Sequence, residues 1–410
     1  MNILVLNAGS SSQKSCLYAI DVETAESAQL SKLPMPIWEA QIDWVAGADG
    51  AARVSVHTHT GESLKETVTF PSRAKTLSYL LSCLYEGSTQ VVESLKEIDV
   101  IGHRVVHGGR EYQQSVLITP AVKDVIDKLS VLAPNHNPAN LEGIELMESL
   151  LDDVPQVAVF DTAFHAQMPE VAAVYPGPYD WQAKGIRRYG FHGISHGYCA
   201  QRAAQLLERS SDELRLIICH LGNGGSLSAV RDGKSVDTTM GFTPLEGLMM
   251  GTRCGSVDPG ILIHLMRQGL SADEIDRLLN QVSGLKGISG VSHDLRKIGE
   301  AIAQGNERAK LAQALYIYRL KACFGSMLMS LGGVDAIVFT AGIGEHSPHI
   351  RAAVCEGMAF LNVAIDLHAN ACNPVDRDIA TAESAVRVLV IKTQEDWAIA
   401  QECKQLLKKE

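Results

Sequence analysis

The chain has 410 residues, a formal net charge of −11 and nine cysteines, none of them in a C-x-x-C pair. This length usually exceeds what one hydrophobic core serves, so we expect two domains. The negative charge argues against nucleic acid or an anionic membrane as the main partner, and the scattered cysteines indicate neither a disulfide framework nor a zinc site. The same cysteine pattern indicates the reducing cytoplasm, and because no apolar run approaches the ~18 residues of a membrane helix, we expect a soluble protein.

The chain opens on a predicted β-hairpin. Residues 3–6 form an apolar strand, residues 7–12 a turn of small polar residues, and residues 16–20 the returning strand, with Lys14 beside the turn. Small residues allow backbone N–H groups to approach an anion closely. The pattern therefore predicts a phosphate-binding hairpin, and an ordinary turn is the alternative.

The next segments predict the rest of a first domain. Residues 36–70 alternate apolar and polar side chains as an antiparallel meander, and residues 72–85 have helical spacing. A short strand at 100–102 leads to Arg104, which is followed by two glycines. A planar, permanent cation at a strand end suits an anion, although a surface arginine beside a turn remains the alternative.

Two predicted helices, 120–132 and 140–151, surround a proline-bracketed loop, and Asn140 is the expected cap of the second helix. Residues 157–160 form a buried strand that Asp161 follows directly. Ligands of open α/β sheets bind beyond the carboxyl ends of the strands. Asp161 is therefore a predicted functional residue.

His192 and His196 lie in a glycine-containing segment. Because a glycine separates the two histidines, the pattern favours His192 as a hydrogen-bond donor to an anion over a helical metal pair. We expect His196 to begin a helix that runs to residue 207.

A second glycine hairpin lies in the middle of the chain. Residues 216–218 form an apolar strand, 222–225 a glycine-rich turn and 226–230 the return. This hairpin repeats the first and predicts two related halves. The long glycine-containing loop 237–255 then brings a second candidate cation, Arg253.

The last third of the chain is mainly helical. We predict helices at 258–268, 271–281 and 307–331, with Tyr318 and Phe324 of the longest one in the core, and a glycine turn at 284–289. The strand 336–339 ends in a glycine loop, 342–346, that opens the helix 348–360 as a nucleotide-binding corner. A strand at 386–391 precedes the final helix, which begins at 394–396.

The sequence combines glycine loops, two arginines, a histidine and strand-end carboxylates. This set of residues is typical of enzymes of phosphoryl transfer, in which positioning and charge stabilisation provide most of the catalysis. No G-x-x-x-x-G-K-[ST] motif is present, so a P-loop fold is excluded.

The whole chain resembles the acetate kinase family in eight blocks that occur in the family's order: LVLNAGSSSQK (4–14), GHRVVHGG (102–109), VFDTAFH (159–165), RRYGFHGISH (187–196), HLGNGGS (220–226), MGFTPLEGLMMGTRCG (240–255), FTAGIGE (339–345) and TQEDWAIA (393–400). The resemblance implies an α/β fold of two duplicated actin- and sugar-kinase-like (ribonuclease H-like) domains with an ATP cleft between them. The implied domains are 1–161, completed by 397–410, and 162–396. A cytoplasmic homodimer is also implied.

The resemblance further implies roles for single residues. Asn7 and Glu395 match magnesium positions (Mg²⁺ or Mn²⁺), and Arg104 and Arg253 match the arginines that hold the carboxylate and the migrating phosphoryl group. His192 matches the donor to the transition state. The residues that match ATP-binding positions are Lys14, His220, Leu221, Gly222, Asn223, Gly224, Asp294, Leu295, Arg296, Gly342, Ile343, Gly344, Glu345 and His346.

Asp161 matches the residue usually labelled as the acid or base. A carboxylic acid substrate with a pKa of ~4–5 is already an anion at neutral pH and needs no base. We therefore expect Asp161 to orient magnesium or Arg104.

Four residues match the family's small acyl pocket: Val106, Asn135, Phe191 and Pro244. Asn135 stands where the family usually has leucine, and Ile194 where it usually has threonine. The implied reaction is reversible, Mg-dependent and direct in-line transfer of a phosphoryl group from ATP to acetate. A propionate or other short-chain carboxylate kinase and a catalytically degenerate nucleotide-binding paralogue are the alternatives. The retained set of Arg104, Asp161, His192 and Arg253 argues against the last.

Overall fold

The computed structural model describes residues 1–9, 12–21, 34–45, 50–134 and 136–408. Asn135, which we predicted in the acyl pocket, lies outside the described residues, as do the two serines at the centre of the first turn. The chain divides into two compact units, Met1–Ala163 with Gln394–Glu410, and Phe164–Thr393.

Within the described ranges the strands are β1 (Asn2–Ala8), β2 (Ser12–Ala19), β3 (Trp38–Trp44), β4 (Ala51–Thr58), β5 (Ser63–Thr69), β6 (Val100–Val105), β7 (Val116–Leu117), β8 (Gln156–Phe160), β9 (Arg215–Leu221), β10 (Gly225–Arg231), β11 (Lys234–Thr238), β12 (Ala336–Thr340), β13 (Arg377–Asp378) and β14 (Arg387–Val390). The helices are α1 (Arg73–Ser82), α2 (Pro120–Lys128), α3 (Asn137–Leu150), α4 (Glu170–Ala173), α5 (Gly193–Leu206), α6 (Pro259–Arg267), α7 (Ala272–Gln281), α8 (Gly284–Ser289), α9 (Leu295–Ala303), α10 (Glu307–Leu331), α11 (Ala341–His346), α12 (Pro348–Glu356), α13 (Leu367–Ala371) and α14 (Glu395–Leu407).

The described strands of the first unit form one sheet in the order β5-β4-β3-β2-β1-β6-β8-β7. The predicted hairpin is β1–β2, and the predicted antiparallel meander is β3–β5, so both predictions are confirmed. Strands β1, β6 and β8 run parallel to one another. Their carboxyl ends therefore lie at one edge of the sheet.

The second unit repeats this plan with the order β11-β10-β9-β12-β14-β13 among its described strands. In each unit a hairpin carries a third antiparallel strand on one side and two parallel strands on the other. A short antiparallel strand closes the far edge of each sheet. The predicted duplication is confirmed, and β4 and β5 are an extension of the first sheet.

Helices cover the central strands of both sheets. In the first unit α3 and α14 pack on β1 and β6, and the buried positions of β1 (Ile3, Leu4 and Val5) explain its continuous apolar run. A Cβ on Gly102 would lie 2.6 Å from Cys403 Sγ and from Ile399 Cγ2, so glycine is required for the close approach of α14. In the second unit α10 and α5 pack on β9.

Two predicted helix starts are wrong. Helix α3 begins at Asn137, three residues before the expected cap, because Pro138 suits the first helical turn and Asn140 is used elsewhere. Helix α5 begins at Gly193 and not at His196, because His192 adopts a left-handed conformation (φ 58°) that ends the preceding loop.

Three other local predictions are also wrong. The segments 284–289 and 342–346, predicted as glycine turns, are the short helices α8 and α11. Tyr318, predicted in the core, is 68% exposed, because α10 buries only one side of its surface. None of the described helices combines the length and the hydropathy that a bilayer crossing requires.

Candidate active site

The edge of the first sheet gathers five polar residues, which we call the Arg104 cluster: Asn7, Arg104, Asp161, Glu395 and Asp396. Asn7 lies on β1, Arg104 on the neighbouring β6, and Asp161 directly follows β8. The parallel register pairs Leu6 with His103 and Arg104 with Val159, which brings the ends of the three strands together. The first turn of α14 supplies the two remaining carboxylates.

Hydrogen bonds join the Arg104 cluster into one network. Arg104 donates to Asp161 Oδ2 from Nε at 3.0 Å and from Nη2 at 2.5 Å, and to Asn7 Oδ1 from Nη1 at 3.3 Å. The Asn7 amide donates to Asp396 Oδ1 at 2.9 Å and to Glu395 Oε2 at 3.4 Å. Asn7 therefore connects the guanidinium to the carboxylates of α14.

The Arg104 cluster is rich in carboxylates; Asp161 is buried and the other four members are partly buried. The side chain of Arg104 is 17% exposed and that of Asp161 is 2% exposed. Burial lowers the pKa of Arg104, but the charge of Asp161 outweighs this and holds that pKa above its ordinary value. Burial raises the pKa of Asp161, and the contact with Arg104 opposes the rise. Burial likewise raises the pKa of Asp396.

Among the described residues, no group of three or more His, Cys, Asp and Glu side chains is placed to hold a metal ion by itself. Mg²⁺ usually binds through one or two carboxylates and completes its shell with water and substrate phosphates. The amide oxygen of Asn7 and the carboxylate of Glu395 are hard oxygen donors of this kind. The donor set therefore fits an Mg²⁺ ion bound together with a nucleotide.

Two buried asparagines hold the segment that follows β6. Asn137 Oδ1 accepts from the His107 N–H at 3.1 Å and its amide donates to the His107 carbonyl at 3.2 Å. Asn140 Oδ1 accepts from the Val106 N–H at 3.2 Å. Apart from the polarity of two residues on a helix, no sequence pattern indicates these contacts. They hold the backbone of a predicted acyl-pocket residue, Val106.

In the second unit, helix α5 and the β9–β10 hairpin bring together a second set of polar residues, which we call the His192 cluster: His192, Ser195, His196, His220 and Ser226. His192 Nδ1 lies 2.9 Å from Ser226 Oγ, and His196 Nε2 lies 2.7 Å from the same oxygen. His220 Nδ1 lies 2.8 Å from Ser195 Oγ. The His192 and His220 rings stack with centroids 4.2 Å apart and planes at 19°.

The glycine turn at 222–225 lies against this cluster and against Arg253. A Cβ on Gly224 would lie 3.4 Å from Arg253 Nη1 and 3.6 Å from His192 Nε2. The turn thus leaves a small space that the arginine and the histidine both border. A Cβ on Gly251 would lie 2.3 Å from Asn223 Oδ1, so the loop before Arg253 packs tightly on the turn.

Arg253 has no carboxylate partner among the described residues. Its Nη1 donates to the Pro244 carbonyl at 3.3 Å. Burial lowers the pKa of Arg253, because no negative charge compensates the loss of water. A partly buried cation that no carboxylate of the described residues neutralises is suited to bind an anion.

The predicted nucleotide segments lie at different places in the second unit. His220 and Leu221 end β9, with Gly222, Asn223 and Gly224 in the turn. Asp294 caps α9, where Leu295 is buried and Arg296 is an exposed partner of Asp294 at 2.7 Å.

Helix α11 carries the last of these segments and contains Gly342, Ile343, Gly344, Glu345 and His346. It begins at Ala341, a left-handed non-glycine residue (φ 63°), which is a strained conformation. Glu345 Oε1 accepts from the Thr393 N–H at 3.1 Å. Lys14 is exposed on β2, in the first unit, where it pairs with Asn7 across the hairpin.

Of the predicted acyl-pocket residues, Val106 is buried in the first unit, and Phe191 and Pro244 belong to the second. Phe191 is buried, and its carbonyl accepts a hydrogen bond from His165 Nε2 at 3.0 Å. Ile194 is buried in the first turn of α5. Sequence patterns missed Ser195, Ser226 and Asp396, although each is adjacent to or within a block that carries the family resemblance.

A family model described as the acetokinase family matches residues 2–401. The chain belongs to the acetokinase family. Over 404 residues this acetokinase-family chain is 64% identical to an acetate kinase of Acaryochloris marina (strain MBIC 11017), with 98% of this chain and 99% of that protein covered.

Solved structures share the fold of this acetokinase-family chain. The acetate kinase of Porphyromonas gingivalis is 41% identical with a TM-score of 0.89, and 99% of each chain is covered. A propionate kinase from Francisella tularensis subsp. tularensis SCHU S4 is 38% identical with a TM-score of 0.88, again with 99% of each chain covered. The predicted two-domain actin-like fold and the family resemblance are both confirmed.

Proposed function

We propose that this protein is an acetate kinase, a phosphotransferase with a carboxyl group as acceptor, which converts acetate and ATP reversibly into acetyl phosphate and ADP by direct in-line transfer. The 64% identity to an acetate kinase, over 98% of this chain, supports the activity. The observation that carries the chemistry is the partly buried guanidinium of Arg253, which has no carboxylate partner among the described residues and lies beside His192 and the glycine turn.

The second unit supplies the charge stabilisation in this proposal. Arg253 and His192 donate hydrogen bonds to the migrating phosphoryl group, whose equatorial oxygens carry most of the charge in the transition state. Gly224 keeps the space between the two side chains open. His192 acts as a donor and forms no covalent intermediate.

The first unit supplies carboxylates and a cation in this proposal. Asn7 and Glu395 would hold Mg²⁺, or Mn²⁺ in its place, and the ion when bound would neutralise charge on the nucleotide phosphates. Asp161 orients the guanidinium of Arg104, and N–H groups of that guanidinium bind the substrate carboxylate. Asp161 is thus a positioning residue, because the acetate anion needs no base.

ATP is the proposed co-substrate. We assign it to Lys14, to the turn that follows His220 and Leu221 with Gly222, Asn223 and Gly224, to Asp294, Leu295 and Arg296, and to Gly342, Ile343, Gly344, Glu345 and His346. The proposed domains are 1–161 with 397–410, and 162–396; the compact units differ from these bounds in placing residues 162–163 and 394–396 in the first unit.

The proposed acyl pocket consists of Val106, Asn135, Phe191 and Pro244. Bulky side chains leave little spare volume for longer substrates, so acetate is preferred over butyrate. Propionate kinase activity is the nearest alternative, because the chain is also similar to the propionate kinase from Francisella tularensis.

We further propose a cytoplasmic homodimer. Helix α6 has no buried residue, and three of its apolar side chains are largely exposed to solvent: Ile261 (47%), Ile263 (52%) and Met266 (56%). Such an apolar surface is typical of a protein–protein interface. Ile263→Asp should convert the dimer to monomer in light scattering, and an unchanged mass would exclude this surface.

The proposed activity is tested by trapping the acyl phosphate with hydroxylamine. Purified protein with ATP and Mg²⁺ should form the hydroxamate rapidly from acetate, more slowly from propionate and hardly at all from butyrate. Faster product formation from propionate would make the protein a propionate kinase. No product from any of the three acids, in a folded sample that binds ATP, would identify a degenerate nucleotide-binding paralogue.

A further inference from the structure

Ser226 lies between two histidines of the His192 cluster. Its hydroxyl oxygen is 2.9 Å from His192 Nδ1 and 2.7 Å from His196 Nε2, and the residue is fully buried on β10. A hydroxyl has one hydrogen atom, so it can donate to only one of these nitrogens. The other nitrogen must therefore donate to the hydroxyl, and the two hydrogen bonds have a common direction.

His196 determines that direction. Its ring is fully buried, and its Nδ1 has no hydrogen-bond partner within the part of the chain that the structure describes. Burial lowers the pKa of His196 well below its ordinary value, so the ring is neutral and carries one N–H. A proton on Nδ1 would leave a buried donor unsatisfied and would leave Nε2 as an acceptor only. A proton on Nε2 satisfies the donor through Ser226.

We propose that His196 and Ser226 are positioning residues that hold His192 in the tautomer protonated on Nε2. His196 Nε2–H donates to Ser226 Oγ, and the Ser226 hydroxyl donates to His192 Nδ1. His192 then carries its proton on Nε2, the nitrogen that borders the space at Gly224 together with Arg253. The functional part of this inference rests on the role proposed above for His192.

Because His192 stacks on His220, its ring is held in place, and its tautomer determines the hydrogen-bonding role of Nε2. The rings are 4.2 Å apart, and His220 is itself held by Ser195. The stack on His220 and the hydrogen bond to Ser226 hold the plane of the His192 ring. Because the ring is held in one orientation, the choice of tautomer decides whether Nε2 is a donor or an acceptor toward a phosphoryl oxygen. Only a donor stabilises that oxygen.

The direct test is nitrogen NMR of the full-length protein with ¹⁵N-labelled histidine, in which the signals of His192 are assigned from their loss in His192→Gln. In the wild type we expect Nδ1 to resonate as an unprotonated nitrogen and Nε2 as a protonated one. In Ser226→Ala we expect both to move toward the averaged position of mixed tautomers. Ser228→Ala is the matched control, since Ser228 is buried on the same strand and bonds to Thr238.

Activity gives a second readout. Ser226→Ala and His196→Ala should each lower kcat by about fivefold to tenfold, in keeping with one neutral hydrogen bond, with little change in KM for ATP or acetate. Ser226→Thr and His196→Gln keep a hydroxyl and an N–H donor and should restore most of the activity.

Several results would overturn the proposal. A protonated Nδ1 on His192 in the wild type would reverse the direction of both hydrogen bonds, and this spectrum decides the matter even if a variant fails to fold. Tautomer signals unchanged by Ser226→Ala would exclude Ser226 as the cause. Full activity of His192→Ala would instead reject the catalytic role of His192, while the spectrum would still decide the tautomer.

Discussion

Arg104 and Arg253 are both partly buried arginines near predicted reaction groups, but their surroundings differ. Arg104 donates to Asp161 and lies among three carboxylates, whereas Arg253 donates to a main-chain carbonyl and lies near histidines and glycines. Carboxylates therefore compensate the guanidinium charge in the first unit, whereas the guanidinium of the second unit has no carboxylate partner among the described residues. Local charge, and not residue type, separates the two roles.

The largest expected loss of activity is for substitution of Arg253, the arginine without a carboxylate partner among the described residues. We expect Arg253→Ala to lower kcat/KM by about a thousandfold, because a preorganised charge on the transition state is lost. The melting temperature should not fall, since the substitution removes a buried charge that has no carboxylate partner. Steady-state kinetics and thermal unfolding test both points, and Arg277→Ala, on the exposed surface of α7, is the control. Near-normal turnover in the folded variant would reject the assigned role.

Arg104→Ala should behave differently, because it leaves the Asp161 carboxylate buried without its partner. We expect the free energy of unfolding to fall by about 3 kcal/mol, in addition to a loss of activity. Arg104→Ala with Asp161→Asn should recover part of that stability but not the activity. Denaturant unfolding measures the difference.

The control for Arg104 is Lys123→Ala, which breaks a partly exposed ion pair with Glu148 in the same unit at 2.6 Å and should cost about 1 kcal/mol or less. If Arg104→Ala is no more destabilising than this control, charge compensation by Asp161 does not explain the difference between Arg104 and Arg253.

His192 tests whether the second unit works by hydrogen bonding. His192→Ala should lower kcat by about a hundredfold, and His192→Gln, which keeps an N–H donor, should retain about tenfold more activity than alanine. No phosphohistidine should accumulate in rapid-quench samples. A phosphorylated His192 on the productive pathway would refute direct transfer.

A smaller effect concerns His103, next to Arg104. Burial lowers the pKa of His103 to about 4, so the unfolded chain takes up a proton near pH 6.5 that the folded chain does not. Stability should therefore fall as the pH falls below 6.5. This residue should contribute a loss of about 1.4 kcal/mol between pH 8 and pH 5.5.

Chemical unfolding of the wild type and of His103→Gln at both pH values measures this contribution. The variant should lose less stability on acidification. Equal losses in the two proteins would show that His103 is not a neutral buried base in the folded state.

The smallest effect is expected in the acyl pocket. Asn135→Leu should lower KM for acetate and propionate a few-fold with kcat nearly unchanged, because a methyl group packs better against an apolar wall in ground and transition states alike. A raised KM or lost turnover would mean that the amide contacts a polar group of the substrate or holds its loop.

Sequence patterns predicted the Arg104 cluster better than the His192 cluster. Asn7 and Arg104 lie near the carboxyl ends of β1 and β6, Asp161 directly follows β8, and the ends of these parallel strands meet at one edge. Ser226 and His196 come from different elements, a strand and a helix, and no spacing rule connects them. The start of α5 was missed because His192 ends the loop by its left-handed backbone, without the side-chain cap that a sequence rule seeks.

Asn140 shows the opposite failure. A capping residue was predicted there because asparagine is common at helix starts. In the structure its amide is used for a tertiary contact with Val106, and Pro138 marks the first turn of α3. Tertiary contacts of polar side chains depend on residues distant in sequence, which local patterns do not contain.

Helix α14 has a consequence for the order in which the units form during synthesis. It packs on β1 and β6 and brings Glu395 and Asp396 to Asn7, yet it is made after every other element of the first unit. On the ribosome the first sheet therefore waits for the last residues of the chain, while the second unit, Phe164–Thr393, is already complete. A chain cut short before residue 394 can contain Arg253 and His192 in a finished unit and still lack Glu395 and Asp396, the carboxylates that α14 brings to Asn7.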